Sequence, residues 1–213
     1  VKKMKTVLCF GDSNTFGEKA SGGRFERWER WTGQVQKELG DEYYIIEEGC
    51  GGRTTVWDDP IEEHKNGKKY LIPCLHSHMP LDLVVIMLGT NDLKNRFSLS
   101  ALDIAYSIEN IILSIYKENC GKDARNPSIL LISPPQIENL TKLADILIGA
   151  KKKREELSGR LETLAGELRV HFLDAASCVT IDPQDGVHMD LQGHAALANV
   201  ISERIVQILN DDK

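Results

Sequence analysis

The sequence predicts an α/β fold: a central, five-stranded parallel sheet with helices on both faces. Three observations carry that expectation. Short apolar, β-branched runs bounded by Gly, Pro or Asp recur along the chain. Segments of helical periodicity separate them, the alternation of a parallel sheet whose crossovers are helices. Finally, 213 residues form a core that buries roughly 70% of the unfolded surface, with no need of disulfides or a structural metal.

In chain order, the strands are expected at residues 6–10, 43–47, 83–88, 129–133 and 172–174. The first is stopped by Gly11-Asp12, the second by Gly49 and the third by Gly89. Helices are expected at residues 31–39, 99–119, about 149–167 and 191–209. In the last, Leu191, Ala195, Ala198, Ile201, Ile205 and Ile208 recur at three- and four-residue steps, with Asp190 as N-cap. Lys151-Lys152-Lys153-Arg154-Glu155-Glu156 reads as the solvated face of a helix, because the acidic pair follows at once. Pro73, Cys74 and Pro80 mark the region of His76 and His78 as an irregular surface segment rather than a metal site, and Asp58-Asp59-Pro60 reads as a turn and helix start. With no internal repeat and no Pro-, Gly- or Ser-rich linker, residues 1–213 read as one domain.

Composition removes several function classes. At 41% hydrophobic and 27% charged residues the chain is far from disorder, and a net charge of −6 offers no footprint for a nucleic-acid backbone. Five scattered cysteines without a C-x-x-C pair read as reduced thiols. No apolar run approaches the roughly 20 residues of a membrane span. The basic start Val1-Lys2-Lys3-Met4-Lys5 precedes too short an apolar run for a signal peptide, so a cytoplasmic location is expected.

In open parallel sheets, ligands bind beyond the carboxyl ends of the strands. After the first strand stands Gly11-Asp12-Ser13-Asn14, a turn able to expose a serine hydroxyl beside backbone N–H groups, or simply a helix cap. The second is followed by Gly49-Cys50-Gly51-Gly52-Arg53-Thr54-Thr55, where glycines let backbone N–H groups approach a developing oxyanion. Beyond the third, in Gly89-Thr90-Asn91-Asp92, Asn91 can aim an amide into the same crevice or form an Asx turn. In Asp185-Gly186-Val187-His188 a carboxylate can orient an imidazole toward a serine. Each pattern is common alone; their conjunction at one sheet edge points to nucleophile, oxyanion donors, base and orienter. His194, inside the last helix, is the rival base and reads as a packing residue. Cys50 reads as a small buried residue.

These four blocks, in this order, resemble those of the SGNH or GDSL hydrolases across nearly the whole chain. Arg30-Trp31-Thr32-Gly33, Glu47-Glu48-Gly49, Arg53-Thr54-Thr55, Asp58-Asp59-Pro60 and Met87-Leu88-Gly89-Thr90-Asn91-Asp92-Leu93-Lys94 are similar to signatures of the small bacterial arylesterase and acyltransferase branch. The resemblance implies a flavodoxin-like three-layer α/β/α sandwich. It implies Ser13 as nucleophile and first oxyanion donor, Gly52 and Asn91 as further donors, His188 as base and Asp185 as its partner. Asn14 stands where leucine is usual, and Phe16 where the branch often carries another aromatic beside the acyl pocket.

The expected activity is hydrolysis of short-chain (acetyl to butanoyl) esters of aryl, alkyl or sugar alcohols, with acyl transfer to added alcohols as a side path. Asp12, Phe16 and Trp57, with Trp31 or Phe97, are expected around the pocket, and no insertion is long enough for a lipase-type lid. The expected partner is a small-molecule ester, with neither nucleic acid nor membrane, no metal and no organic cofactor; self-association into a homo-oligomer stays open. The competing reading is a non-enzymatic, flavodoxin-like protein that binds a flavin or phosphate on the loop at residues 11–17. That loop lacks a P-loop's glycine spacing and lysine, and binding alone gives Asp185 and His188 no task.

Overall fold

Strands and helices alternate through the computed structural model, which describes residues 4–211; the start of the basic run, residues 1–3, lies outside the described residues. The elements are β1 (Lys5–Gly11), α1 (Ser13–Phe16), α2 (Trp31–Leu39), β2 (Tyr43–Gly49), α3 (Gly67–His78), β3 (Leu83–Met87), α4 (Ala101–Glu118), β4 (Ser128–Ser133), α5 (Ala150–Leu168), β5 (His171–Asp174) and α6 (Leu191–Asp211). The five strands pair in parallel in the order β2-β1-β3-β4-β5. The expected α/β sandwich is present, with every predicted strand within two residues of its bounds.

The two-residue period of the strands divides the core. Val7, Cys9, Val85, Met87, Leu130 and Ile132 face α2 and α6, against Trp31, Val35, Leu197 and Ile201. Leu8, Phe10, Val84, Ile86, Ile129 and Leu131 face α3, α4 and α5, against Leu71, Leu75, Ile104, Ile108 and Leu157. All of β3 is buried, hence its unbroken apolar reading. The register puts Gly11 beside both Gly49 and Met87. The turns after β1, β2 and β3 therefore leave one edge together, and the strand order reverses at β1, the position where α/β sheets open a crevice.

Three local expectations are corrected. The segment around Pro73 is the helix α3, not irregular: Asn66 caps it by accepting from the Lys69 N–H at 3.2 Å, and burial of Leu71, Cys74 and Leu75 outweighs the bond that Pro73 cannot donate. His76 and His78, two residues apart on that helix, diverge to Glu118 and Glu48. Asp58-Asp59-Pro60 starts no helix; Asp59 is buried, accepts from the Ile61 and Glu62 N–H groups and pairs with Arg96 and Lys94. In the basic run, Arg154 is buried rather than solvated: its guanidinium donates to the Pro134 carbonyl and to Asp174, tying α5 to the carboxyl ends of β4 and β5.

Candidate active site

Asp12 caps the single turn α1 by accepting from the Asn14 N–H at 3.0 Å, so Ser13 is the first helical residue rather than the cap. The serine is only 5% exposed, at the floor of a cavity instead of on an open turn. His188 Nε2 lies 3.1 Å from Ser13 Oγ, and His188 Nδ1 lies 2.6 Å from Asp185 Oδ2. The other oxygen of Asp185 accepts from the Val187 and His188 N–H groups at 2.9 and 3.0 Å, which fixes the carboxylate. A proton on Nδ1 held by Asp185 leaves Nε2 to accept from the serine.

Burial alone would lower the His188 pKa; the hydrogen bond and charge of Asp185, aided by Glu18 and Asp12, outweigh it and raise the imidazole above its ordinary value. Burial pushes Asp185 up, but its bonds to the His188 side chain and to the His188 and Val187 N–H groups hold it below the ordinary range. The carboxylate thus stays ionised while the imidazole takes up a proton readily. His194 behaves in the opposite way: it is fully buried, its Nδ1 accepts from the Trp31 N–H at 3.3 Å, and burial pulls it down to about 4.

Gly52 adopts φ +76°, a left-handed conformation that favours glycine. Two buried groups hold its loop. Arg53 donates to the carbonyls of Gly11 and Glu48 and lies 4.3 Å from the Phe10 ring centroid. Asp92 accepts from the Thr55 N–H at 3.1 Å and from the Thr55 hydroxyl. Asn91 donates one amide hydrogen to the Arg53 carbonyl at 3.0 Å, which orients the other. Among the described residues neither the Ser13 nor the Gly52 N–H has a hydrogen-bond partner, so both are available to a ligand. Asn91, Gly52 and Ser13 line one cavity of about 150 Å³ with His188.

The cavity's other lining residues are Glu18, Glu62, Thr90, Lys94, Leu143, Ile146, Leu147 and Val187. Phe16 and Trp57 are not among them, a correction to the expected walls. The Phe16 ring stacks under the Arg24 guanidinium at 4.1 Å, and Trp57 Nε1 donates to Ser107 Oγ at 3.1 Å in a separate hollow. Trp31 is core and Phe97 packs against α3–α5, so neither lines the cavity. Asp12 is not among the lining residues; it is buried, its carboxyl pushed up to about 6 by burial. The segment 134–149 supplies the apolar wall; the Ile146 carbonyl accepts from the Asn95 N–H at 2.7 Å, and Glu138 N–H donates to Gly186 at 2.9 Å. A larger hollow of about 690 Å³ lies at the opposite, amino ends of the strands, lined among others by Lys5, Leu81, Ser128 and His171 and remote from Ser13 and His188.

One group of possible metal donors occurs among the described residues: Glu48, Cys74 and His78 within 4.8 Å of one another. Glu48 is engaged by Tyr70 and His78, and burial pushes the Cys74 thiol up to about 12.

The GDSL-like lipase/acylhydrolase family model matches residues 9–196, from the end of β1 into α6. The chain belongs to that family. It is therefore a carboxylic ester hydrolase of the SGNH type. Among solved structures, the aryl esterase of M. smegmatis is 36% identical, with 96% of this chain and 99% of that one covered at a TM-score of 0.90. Est24, a carbohydrate acetylesterase from Sinorhizobium meliloti, is likewise 36% identical, with 96% and 99% coverage and a TM-score of 0.91. No curated protein sequence matches the chain.

Within this SGNH chain, Asn14 does work that the motif alone did not reveal. Its amide donates to the Val187 carbonyl at 3.3 Å and accepts from the Met189 N–H at 2.9 Å, bracketing His188 on both sides. Glu18 and the segment 134–149 were also missed as parts of the site, since residues outside any motif give no signal before the chain is folded; Arg53 and Asp92 stood inside quoted blocks, but their loop-holding bonds were not foreseen. Replacing Asn14 by leucine leaves two buried backbone groups unpaired. Asn14→Leu is expected to cost about 1–3 kcal/mol in urea denaturation and to lower kcat by about tenfold to a hundredfold through displacement of the imidazole. An unchanged kcat with unchanged stability would show that the backbone holds His188 by itself.

Proposed function

We propose that the chain hydrolyses short-chain esters through a serine-bound acyl intermediate. The observation that carries this reading is the Asp185–His188–Ser13 relay facing a cavity lined by Gly52 and Asn91. His188 Nε2 accepts the hydroxyl proton as Ser13 Oγ attacks the ester carbonyl. The oxyanion is held by the Ser13 and Gly52 N–H groups and the Asn91 amide. As the tetrahedral species collapses, the acyl–oxygen bond breaks and the alcohol leaves with the proton from His188. Water, deprotonated by the same nitrogen, then attacks the acyl-serine and releases the acid. An added alcohol in place of water gives a new ester. Both similar enzymes are named as esterases, one acting on aryl and the other on carbohydrate esters, which supports small aryl, alkyl or sugar alcohols as leaving groups.

A fluorophosphonate is expected to form an adduct on Ser13, and Ser13→Ala to lose at least about 10³ in kcat while remaining folded. His188→Ala is expected to be nearly as damaging and His194→Ala much less so. Asn91→Ala should cost about 10²–10³ in kcat with little effect on KM. Bound flavin or nucleotide and no adduct would favour the non-enzymatic reading instead.

Because the base must be neutral to accept a proton and its pKa is raised above 6.5, activity is lost as the pH falls through that raised value. The acid limb of kcat/KM is therefore expected above pH 6.5, and Asp185→Asn, which removes the raising charge, should shift it downward as well as slowing turnover. A limb that does not respond to Asp185→Asn would leave the base without its partner.

At about 150 Å³ the cavity is smaller than the roughly 300–1,000 Å³ of pockets for drug-sized ligands, which supports a short acyl group. A p-nitrophenyl ester series is expected to peak between acetyl and butanoyl. Ile146→Ala should move the optimum to longer chains, whereas Phe16→Ala should not. The opposite pattern would put the acyl group against Phe16.

A further inference from the structure

We propose that Glu18 makes the leaving-group side of this pocket selective for charge, favouring esters of alcohols that carry a cationic ammonium group and disfavouring those that carry a carboxylate or phosphate. The inference rests on the serine-esterase reading and adds the substrate class. Glu18 follows Gly17, the cap of the turn α1, and its N–H donates to the Ser13 carbonyl at 3.0 Å, so its position is tied to the serine. Its carboxylate reaches back to within 4.0 Å of His188 Nε2. That nitrogen hands its proton to the departing alcohol, so whatever lies beside it lies beside the leaving group. The oxyanion donors Gly52 and Asn91 belong to the loops after β2 and β3, whereas Glu18 approaches from the β1 side.

The charges around the cavity are not equivalent. Glu62 is engaged by Lys94 at 2.5 Å and Arg96 at 3.3 Å, and Asp59 by the same two cations. The ion pair that Glu18 makes among the described residues is with His188 alone. Once the imidazole has returned its proton it is neutral, and the Glu18 carboxylate, with 39% of its side chain exposed, is free for a cation on the alcohol. The lining supplied by Leu143, Ile146 and Leu147 is apolar and offers an anion nothing in exchange for its lost water, and the lining cation Lys94 is taken up by Glu62 and Asp59.

The test compares acetylcholine with its uncharged isostere 3,3-dimethylbutyl acetate, and adds O-acetylglycolate as the anionic ester, all on the alkaline plateau of the pH profile. The readout is the ratio of kcat/KM between esters within one preparation, which cancels intrinsic reactivity between variants and any difference in folded fraction. Glu18→Gln is expected to lower the cationic-to-neutral ratio about fivefold, the scale of a half-exposed ion pair, and Glu18→Lys to lower it further and raise the anionic-to-neutral ratio. Ratios unchanged in both variants would overturn the inference while leaving the esterase reading intact. Turnover without a fluorophosphonate adduct on Ser13 would overturn that reading and this inference with it.

Discussion

The site depends on holding together two pieces of chain 175 positions apart, the turn after β1 and the loop before α6. Asn14 does this most directly, because one amide group fills both a carbonyl and an N–H on either side of His188. A hydrogen bond from serine to histidine is too weak by itself to hold a loop in register: its net worth is about 1 kcal/mol, less than the cost of ordering the residues that carry it. The imidazole is placed instead by backbone bonds to Asn14 and Asp185, and the serine–histidine contact follows from them.

The same logic governs the oxyanion side. Gly52 and Asn91 come from different strands, and buried charges lock their loops: Arg53 onto the carbonyls that end β1 and β2, Asp92 onto Thr55. Burial raises both Asp12 and Asp92 to about 6, a desolvation cost borne next to the reacting atoms. Such groups are expensive in a core and are justified where geometry must be exact to fractions of an ångström. In the proposed mechanism the Gly52 and Asn91 donors are thereby aimed before substrate arrives, so little reorganisation would accompany the chemistry.

Much of this was readable in the chain. Strand runs that are apolar throughout, such as Leu83–Met87, have no alternative to burial on both faces, and the parallel register then forces the residues after each strand to one edge. That is why the four short blocks that hold Ser13, Gly52, Asn91, Asp185 and His188 could be expected to meet at one edge, where the structure brings them together. Pro73 misled because it is a helix breaker by local propensity, while three buried neighbours on α3 decided the matter. Arg154 misled because one of four consecutive basic residues turns inward, a choice made by helical phase and by the waiting Pro134 carbonyl.

The pocket walls were not readable. Aromatic residues near the blocks, Phe16 and Trp57, satisfied expectation by type, yet a cation stacks on one and Ser107 engages the other. The wall that exists, Leu143, Ile146 and Leu147, belongs to a segment with no periodicity, placed by backbone bonds to residues 95 and 186. What the sequence by itself determined was the sheet, its functional edge and the chemical groups assembled there, because these follow from periodicity and from short-range turn chemistry. What only the tertiary structure decided was which side chains face those groups, because that depends on contacts between segments far apart in the chain whose direction no local pattern encodes.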